Sequence, residues 1–291
     1  MKNLPICCLA GLSAVLRSLS SFVGKKSHLR ARTVLLGILF WLAFIPAAYA
    51  SHPLITDDAG TQGRGKLQIE LDNQISFKKD NQQNNDGTST IVKTTAAEMK
   101  LLATYGIVDT VDLILGVPYQ WQRVETDGAG ISKADGLADV SLEVKWRFFE
   151  KDGFSLAVKP GLTLPAGDKD KGLGTGRTGY TFFFIATKES DPWAFHLNLG
   201  YRRNQNDVDQ RDDIWHTSLA AEWKLLKNLR LVANVGTERN TDRTSSINPA
   251  FILGGIVYSV TDSFDLDLGI KGGLTPVDPD YTLLAGVTYR F

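Results

Sequence analysis

Asp139-Val140-Ser141-Leu142-Glu143-Val144-Lys145-Trp146-Arg147-Phe148 alternates without a break. Successive side chains of an extended strand point to opposite faces. Val140, Leu142, Val144, Trp146 and Phe148 therefore share one side, and Asp139, Ser141, Glu143, Lys145 and Arg147 the other. A strand with one apolar and one polar side must sit between two media. Similar alternation recurs at 67–77, 111–121, 193–201, 229–235, 264–270 and 283–291, and no segment shows helical spacing of comparable quality.

Working outward, the pattern predicts twelve strands: 66–78, 91–105, 110–123, 135–149, 153–164, 177–188, 192–204, 213–225, 228–240, 246–260, 263–274 and 281–291. The strand at 246–260 has an ambiguous facing, because Gly254-Gly255 interrupts a nearly continuous apolar run. Short connections near 106–109, 150–152, 189–191, 226–227 and 261–262 alternate with longer polar ones at 79–90, 124–134, 165–176, 205–212, 241–245 and 275–280. Short and long connections alternating around an even strand count are the layout of outer-membrane barrels. Strand length supports this over a soluble sandwich, whose strands average about five or six residues against the nine to eleven that cross a membrane. In lipid an open sheet edge leaves backbone groups unpaired, so the sheet must close. The expected fold is all-β: a transmembrane antiparallel β-barrel of about twelve strands over residues 66–291, with short turns and both termini on the periplasmic side.

Residues 1–50 carry six basic residues and no acid. A basic cluster from Lys25 to Arg32, an apolar run from Val34 to Ile45 and the small-residue site Ala48-Tyr49-Ala50 follow in the order of an export signal. Cleavage is expected after Ala50, leaving 51–65 as a periplasmic N-terminal segment before the barrel. The remaining chain has no cysteine and holds 32 acids against 26 bases, a net charge of −6. That balance lacks the basic excess usual in nucleic-acid binders. A mean hydropathy of −0.10 argues against a multi-span helical membrane protein. No P-loop, dinucleotide fingerprint or convincing metal-ligand cluster is present, and no cofactor is expected.

The twelve Trp and Tyr residues after Ala50 fall near strand ends, as interface girdles require. Tyr105, Trp146, Trp193, Trp223, Tyr258 and Tyr289 form the expected periplasmic girdle, and Tyr119, Trp121, Tyr180, Tyr201, Trp215 and Tyr281 the outer one. The chain ends Gly286-Val287-Thr288-Tyr289-Arg290-Phe291. Gly286, Tyr289 and Phe291 resemble the signal by which the barrel-assembly machinery recognises its clients, although Leu284 stands where a polar residue is usual. Outer-membrane lipid and that machinery are the expected partners.

Ahead of the first strand stands His52-Pro53-Leu54-Ile55-Thr56-Asp57-Asp58-Ala59-Gly60-Thr61-Gln62-Gly63. This run resembles the opening of the outer-membrane family labelled "MetA-pathway of phenol degradation", and the resemblance extends by pattern and size to the final Phe. It implies a pore or channel for small molecules, hydrophobic or aromatic ones among them. Physically the run is short, polar and turn-rich. Its acids either pair with lumen bases from within the periplasmic mouth, or the segment serves only to start the first strand.

The polar faces supply the expected lumen lining: Glu70, Asp72, Glu98, Lys100, Asp112, Glu143, Lys145, Arg147, Lys159, His196, Arg202, His216, Glu222, Arg230, Asp265, Asp267 and Lys271. Lys or Arg on the lipid face costs about 2–4 kcal/mol at mid-membrane, which turns these residues inward. A lumen of mixed sign fits either a water-filled path for a small-molecule solute or a salt-bridged filling. Two further readings compete with a pore. One is a structural or surface barrel without transport. The other is an outer-membrane phospholipase-like enzyme using His216 and Ser218, with Asn234 or Asn240 orienting the imidazole.

Overall fold

A computed structural model describes residues 52–83, 89–128 and 130–291. The expected export signal and its cleavage site lie outside the described residues. The strands are β1 (Leu67–Gln83), β2 (Ser89–Val108), β3 (Val111–Thr126), β4 (Gly130–Leu137), β5 (Val140–Lys151), β6 (Phe154–Leu164), β7 (Gly179–Ser190), β8 (Trp193–Arg203), β9 (Asp213–Leu226), β10 (Leu229–Glu238), β11 (Ala250–Thr261), β12 (Phe264–Gly273) and β13 (Tyr281–Arg290). All paired strands are antiparallel. β1 pairs with β13 from Gln68–Arg290 to Phe77–Tyr281, which closes the sheet. β4 and β5 together make one stave, since β3 pairs with β4 along its outer half and with β5 along its inner half. The result is a closed twelve-stave barrel. Among the described residues the one helical element is a 3-10 turn, Lys169–Lys171, in the loop after β6.

Two details depart from the expected strands. The stave read as unbroken over 135–149 breaks at Ala138-Asp139, where the Ala138 N–H donates to the Pro118 carbonyl and the Asp139 side chain is taken by the loop after β6. The connections expected at 79–90 and 124–134 are shorter, because pairing continues to Gln83–Ser89 and Thr126–Gly130. Polar residues there hid the strands. Beyond the lipid both faces are wet, so backbone pairing continues without alternation.

Burial is inverted relative to a soluble protein. Leu266, Leu268 and Ile270 of β12 are 40%, 57% and 55% exposed, whereas Asp265 and Asp267, which alternate with the leucines, are 2% and 3%. Eleven of the twelve girdle aromatics are exposed on the outer face and Tyr119 is half-buried. Trp193 and Trp223 stack there at 5.5 Å between ring centroids.

Candidate functional site: a plugged lumen

Residues 52–62 lie inside the barrel, and Gly63 to Gly65 lead out to β1 at its short-turn rim. Reading back from β1, the Gly65 N–H donates to the Gly106 carbonyl at 2.8 Å, at the short-turn end. Thr61 Oγ1 donates to the Asp109 carbonyl at 2.8 Å, and the Gln62 N–H to the Asp112 carboxylate at 3.0 Å. The Ala59 N–H reaches Thr187 Oγ1 at 2.9 Å. Deeper in, the Ile55 and Thr56 N–H groups both donate to Asn234 Oδ1, at 2.8 and 3.1 Å. Thr56 Oγ1 accepts from Asn234 Nδ2 and donates to Ser218 Oγ, each at 2.7 Å. The Asn198 amide, turned to accept from the Asp57 N–H and donate to its carbonyl, lies 2.8 Å from both. A segment without regular structure can be buried only if its backbone finds such partners.

Charge and apolar contact complete the docking. Lys145 Nζ and Lys159 Nζ donate to the two carboxylate oxygens of Asp57 at 2.7 and 2.8 Å. Burial alone would raise the Asp57 carboxyl. The two ammonium groups outweigh it and hold the carboxyl well below the usual carboxylate range. Leu54 packs on Ala220, Val232, Leu253, Val257 and Leu284, and Ala59 on Ala157 and Ile185. The His52 imidazole pairs with Asp267. It occupies a notch left by Gly286, where an added Cβ would stand 2.5 Å from His52 Nδ1. Pro53 fills a second notch, at Gly255 and Gly269, which pair across β11 and β12.

The structure turns the seventeen lumen residues named from the sequence to the inner face, and brings many together. One network runs around the wall from His196 to Glu222 at 3.3 Å, Glu222 to Arg230 at 3.3 Å and Arg230 to Asp265 at 3.8 Å. It continues from Asp265 to Arg290 at 2.8 Å, then through Gln68 to Glu70 at 3.0 and 2.9 Å. Glu143 lies 3.6 Å from Lys159, beside the Asp57 clamp. Glu98 accepts from Gln74 and Gln120 at 3.3 and 2.7 Å. Arg147 sits at the short-turn rim, paired with Glu150 at 2.9 Å. Lys271 lies 5.7 Å from the Phe251 ring centre, and Lys100 and Asp72 line a cavity of about 310 Å³ between the plug and the wall of β1–β3. Arg202 lies toward the long-loop end of β8, opposite Ile214 of β9. Of the terminal residues, Gly286 faces the lumen against His52, while Tyr289 and Phe291 are exposed outside, their rings 4.7 Å apart.

The sequence reading missed the apolar part of the interior. Ile185, Val232, Leu253, Val257 and Leu284 face inward beneath the plug. Phe183 and Phe251 also turn inward, crossing over Gly200 and Gly236. Ser218 and Asn234 were weighed only as catalytic groups. His216 Nε2 does stand 3.0 Å from Ser218 Oγ, with Glu238 3.5 Å from His216 Nδ1. However, Asn234 holds the plug, and Asn240 bonds the loop at Ile247 and Asn248. Neither orients the imidazole. Ser218 is buried in the lumen under Thr56, away from lipid.

An apolar outer belt, a closed stave ring and a charged interior filled by the chain's own leading segment define a channel-type outer-membrane barrel. The chain belongs to the family described as "Putative MetA-pathway of phenol degradation", whose model matches residues 56–291. The fold is similar to that of the COG4313 outer membrane channel from Pseudomonas putida F1, with a TM-score of 0.62 and 16% identity over 80% of this chain and 98% of that one. It is also similar to the translocator domain of autotransporter NalP from Neisseria meningitidis (TM-score 0.50, 11% identity, 90% and 98% covered). The KdgM porin is similar at a TM-score of 0.50 and 9% identity, with 77% and 99% covered. At these identities the likeness concerns the fold. No curated protein matches the chain in sequence.

Proposed function

We propose that this protein is an outer-membrane channel for small, largely apolar or aromatic molecules, closed at rest by residues 52–65. The observation that carries this reading is the construction of the plug. Beyond the backbone bond at Gly65, the segment is joined to the wall through side chains, so it can leave without breaking a pairing between staves. Its departure would uncover Leu253, Val257, Ile185 and Leu284 beside a row of charges. Such a two-sided passage suits a molecule with an apolar body, and the family's description points toward aromatic compounds. Short turns and the plug face the periplasm in this reading, and the long loops face outside.

Thr56 Oγ1 and Ser218 Oγ, 2.7 Å apart, offer a direct test. Exported residues carry no native cysteine, so Thr56→Cys with Ser218→Cys would place one disulfide between plug and wall. In liposomes, phenol uptake is expected to stop on oxidation and return on reduction. Uptake indifferent to the lock would sink the gated-channel reading. No uptake in either state would favour a structural barrel.

A further inference from the structure

Beyond the outer aromatic girdle, bases gather on the outer face of β1–β4. Phe77 stacks on the exposed Tyr281 at 4.9 Å, and Lys79 follows it on the same face of β1. Lys93 of β2 lies directly opposite Lys79. On β3, Arg123 follows the exposed Trp121, and Lys133 of β4 lies directly opposite Arg123. All four bases are exposed. Like charges directly opposite one another destabilise a sheet. Here two such pairs stand side by side, since Arg123 is also opposite Thr95, the next outward residue of β2 after Lys93. The nearby acids answer one base of the four. Glu125 lies opposite Lys93 in the register, but its carboxylate accepts from Arg123 Nε at 2.8 Å. Asp135 takes the Tyr119 hydroxyl at 2.8 Å, and Asp280 the Lys79 N–H at 3.0 Å. Among the described residues no ion pair engages Lys79, Lys93 or Lys133.

Directly below this patch, toward mid-membrane, the same part of the wall is hollowed. A trough of about 530 Å³ is lined by Ile75, Ala97, Met99, Trp121, Leu283 and Ala285, with Asn73 on its floor. The register explains the hollow. Ala97 lies between Ile75 and Trp121, and Asn73 between Met99 and Ala285. The short side chains of Ala97 and Ala285 leave space between longer neighbours. Asn73 stays low, because its amide donates to the Ala285 carbonyl at 3.3 Å. Trp121 is two residues from Arg123 along β3, and Ala97 four from Lys93 along β2. At strand rise the bases therefore sit roughly 7–13 Å beyond the upper end of the trough.

We propose that this face of the barrel binds one phosphorylated lipid of the outer leaflet, with its phosphates on Lys79, Lys93, Arg123 and Lys133 and one acyl chain along the trough. Charge and position select this occupant. Aromatic girdles mark the headgroup level of a membrane, so bases just beyond one meet lipid phosphates, for which Lys and Arg are the usual partners. Neighbouring staves lie about 4.8 Å apart, so the four bases span about 14 Å across β1–β4, which accommodates a headgroup with two phosphates. A soluble anion would use the bases and leave the trough idle. A lipid presents an anionic end and an apolar chain in the order the wall does. The site rests on the barrel standing in the membrane with its long loops outward, and it needs no open pore.

The test uses the refolded chain from Ser51 in dodecylmaltoside micelles, titrated with diphosphoryl lipid A and read by native mass spectrometry. One lipid is expected to stay on each barrel. The double variants Lys79→Gln/Lys93→Gln and Arg123→Gln/Lys133→Gln should each weaken its apparent affinity at least about tenfold. Ala97→Phe, which fills the trough and leaves every base in place, should weaken it several-fold as well. Lys79→Arg/Lys93→Arg keeps the charge and should bind within a few-fold of the parent. Lys227→Gln, in a short turn at the opposite end, should leave binding unchanged. These two controls separate lost binding from lost folding. No retained lipid, or an affinity indifferent to both neutralised pairs, overturns the proposal. An affinity indifferent to Ala97→Phe overturns it too, and displacement of the lipid by inorganic pyrophosphate would then mark the patch as a site for soluble anions. Binding in micelles involves no transport, so every result leaves the channel reading to its own test.

Discussion

Asp57 bridges two lysines from adjacent staves, Lys145 of β5 and Lys159 of β6. It is the one carboxylate that both ammonium groups share, with Glu143 at 3.6 Å from Lys159 and the Asp58 carbonyl accepting from Lys145 at 3.1 Å. Removing one partner of a buried charge pair costs about 3–5 kcal/mol, mostly through the charges left behind. Those lysines regain water if the plug withdraws. Asp57→Asn is therefore expected to release the segment rather than unfold the barrel. Planar-bilayer recordings should show conductance well above the parent's, with unchanged heat-resistant migration of the folded band. Because the Asp57 carboxyl is depressed, its contribution is complete above the ordinary carboxylate value. It is lost only as pH falls through the depressed value. Mild acid should leave this clamp intact.

His52 carries the opposite sign. Burial works against its charged form. The hydrogen bond to Asp267 and the charges of Asp72, Asp267 and Glu70 outweigh burial and raise it above the ordinary histidine value. A raised cationic group stabilises fully below its unfolded value, and that stabilisation is lost as pH rises through the folded one. Plug docking should thus weaken on the alkaline side. The frequency of conducting events is expected to climb as pH passes upward through the raised histidine value, and to become flat with pH in His52→Gln. A pH response that persists in His52→Gln would place the titrating group elsewhere.

Gly269 tests the seat without touching charge. A Cβ there would lie 2.9 Å from Pro53 Cβ and 3.2 Å from its Cγ, with wall backbone no nearer than 3.5 Å. Gly269→Ala should push Pro53 out while leaving β11–β12 pairing undisturbed. The overlap is with one rigid ring, and overpacking of this kind typically costs about 1–3 kcal/mol. Protease added to the short-turn side should then cut between residues 52 and 65 at least several-fold faster than in the parent. Equal cutting rates would mean that the seat contributes little to docking.

The barrel was legible because lipid imposes a rule on every stave. In β5, Val144 and Trp146 must differ in facing from Glu143 and Lys145, so alternation and strand ends could be read directly. The rule lapses where both faces are wet, which is why Lys79 to Gln83 read as loop although β1 continues through them. It also fails where both faces are apolar. Leu253 and Val257 seat the plug while Ile252 and Ile256 meet lipid, and nothing in their chemistry tells them apart. The plug's contacts were partly visible, since unpaired acids at Asp57 and Asp58 faced bases such as Lys145 and Lys159 in a closed space. Its polar anchors were not. Ser218 and Asn234 are ordinary wall residues until Thr56 arrives from a distant part of the chain, and Gly286 reads as a terminal signal until His52 is placed against it.

The long-loop end has its own constriction, fixed at the break in the fourth stave. Asp139 accepts from the Gly167 N–H at 3.0 Å and from the Thr175 N–H and Oγ1, both at 2.8 Å. These bonds draw the loop after β6 inward, so that Leu173 is buried 5% exposed against Gly136. Leu173 then borders a cavity of about 240 Å³ with Gln74, Gln120 and Gln122. A solute entering from outside would meet this leucine before it meets the plug. Leu173→Ala should widen the passage with little effect on the barrel, because the side chain packs on a loop–wall contact rather than a stave pairing. Asp139→Ala should free the whole loop, removing three hydrogen bonds each worth about 0.5–1.5 kcal/mol, or more for a charged acceptor. In liposome swelling with the plug released by Asp57→Asn, both variants are expected to admit larger solutes than the Asp57→Asn parent, Asp139→Ala the larger of the two. An unchanged size limit in both would show that the narrowest point lies at the plug's bed and not at the outer loop.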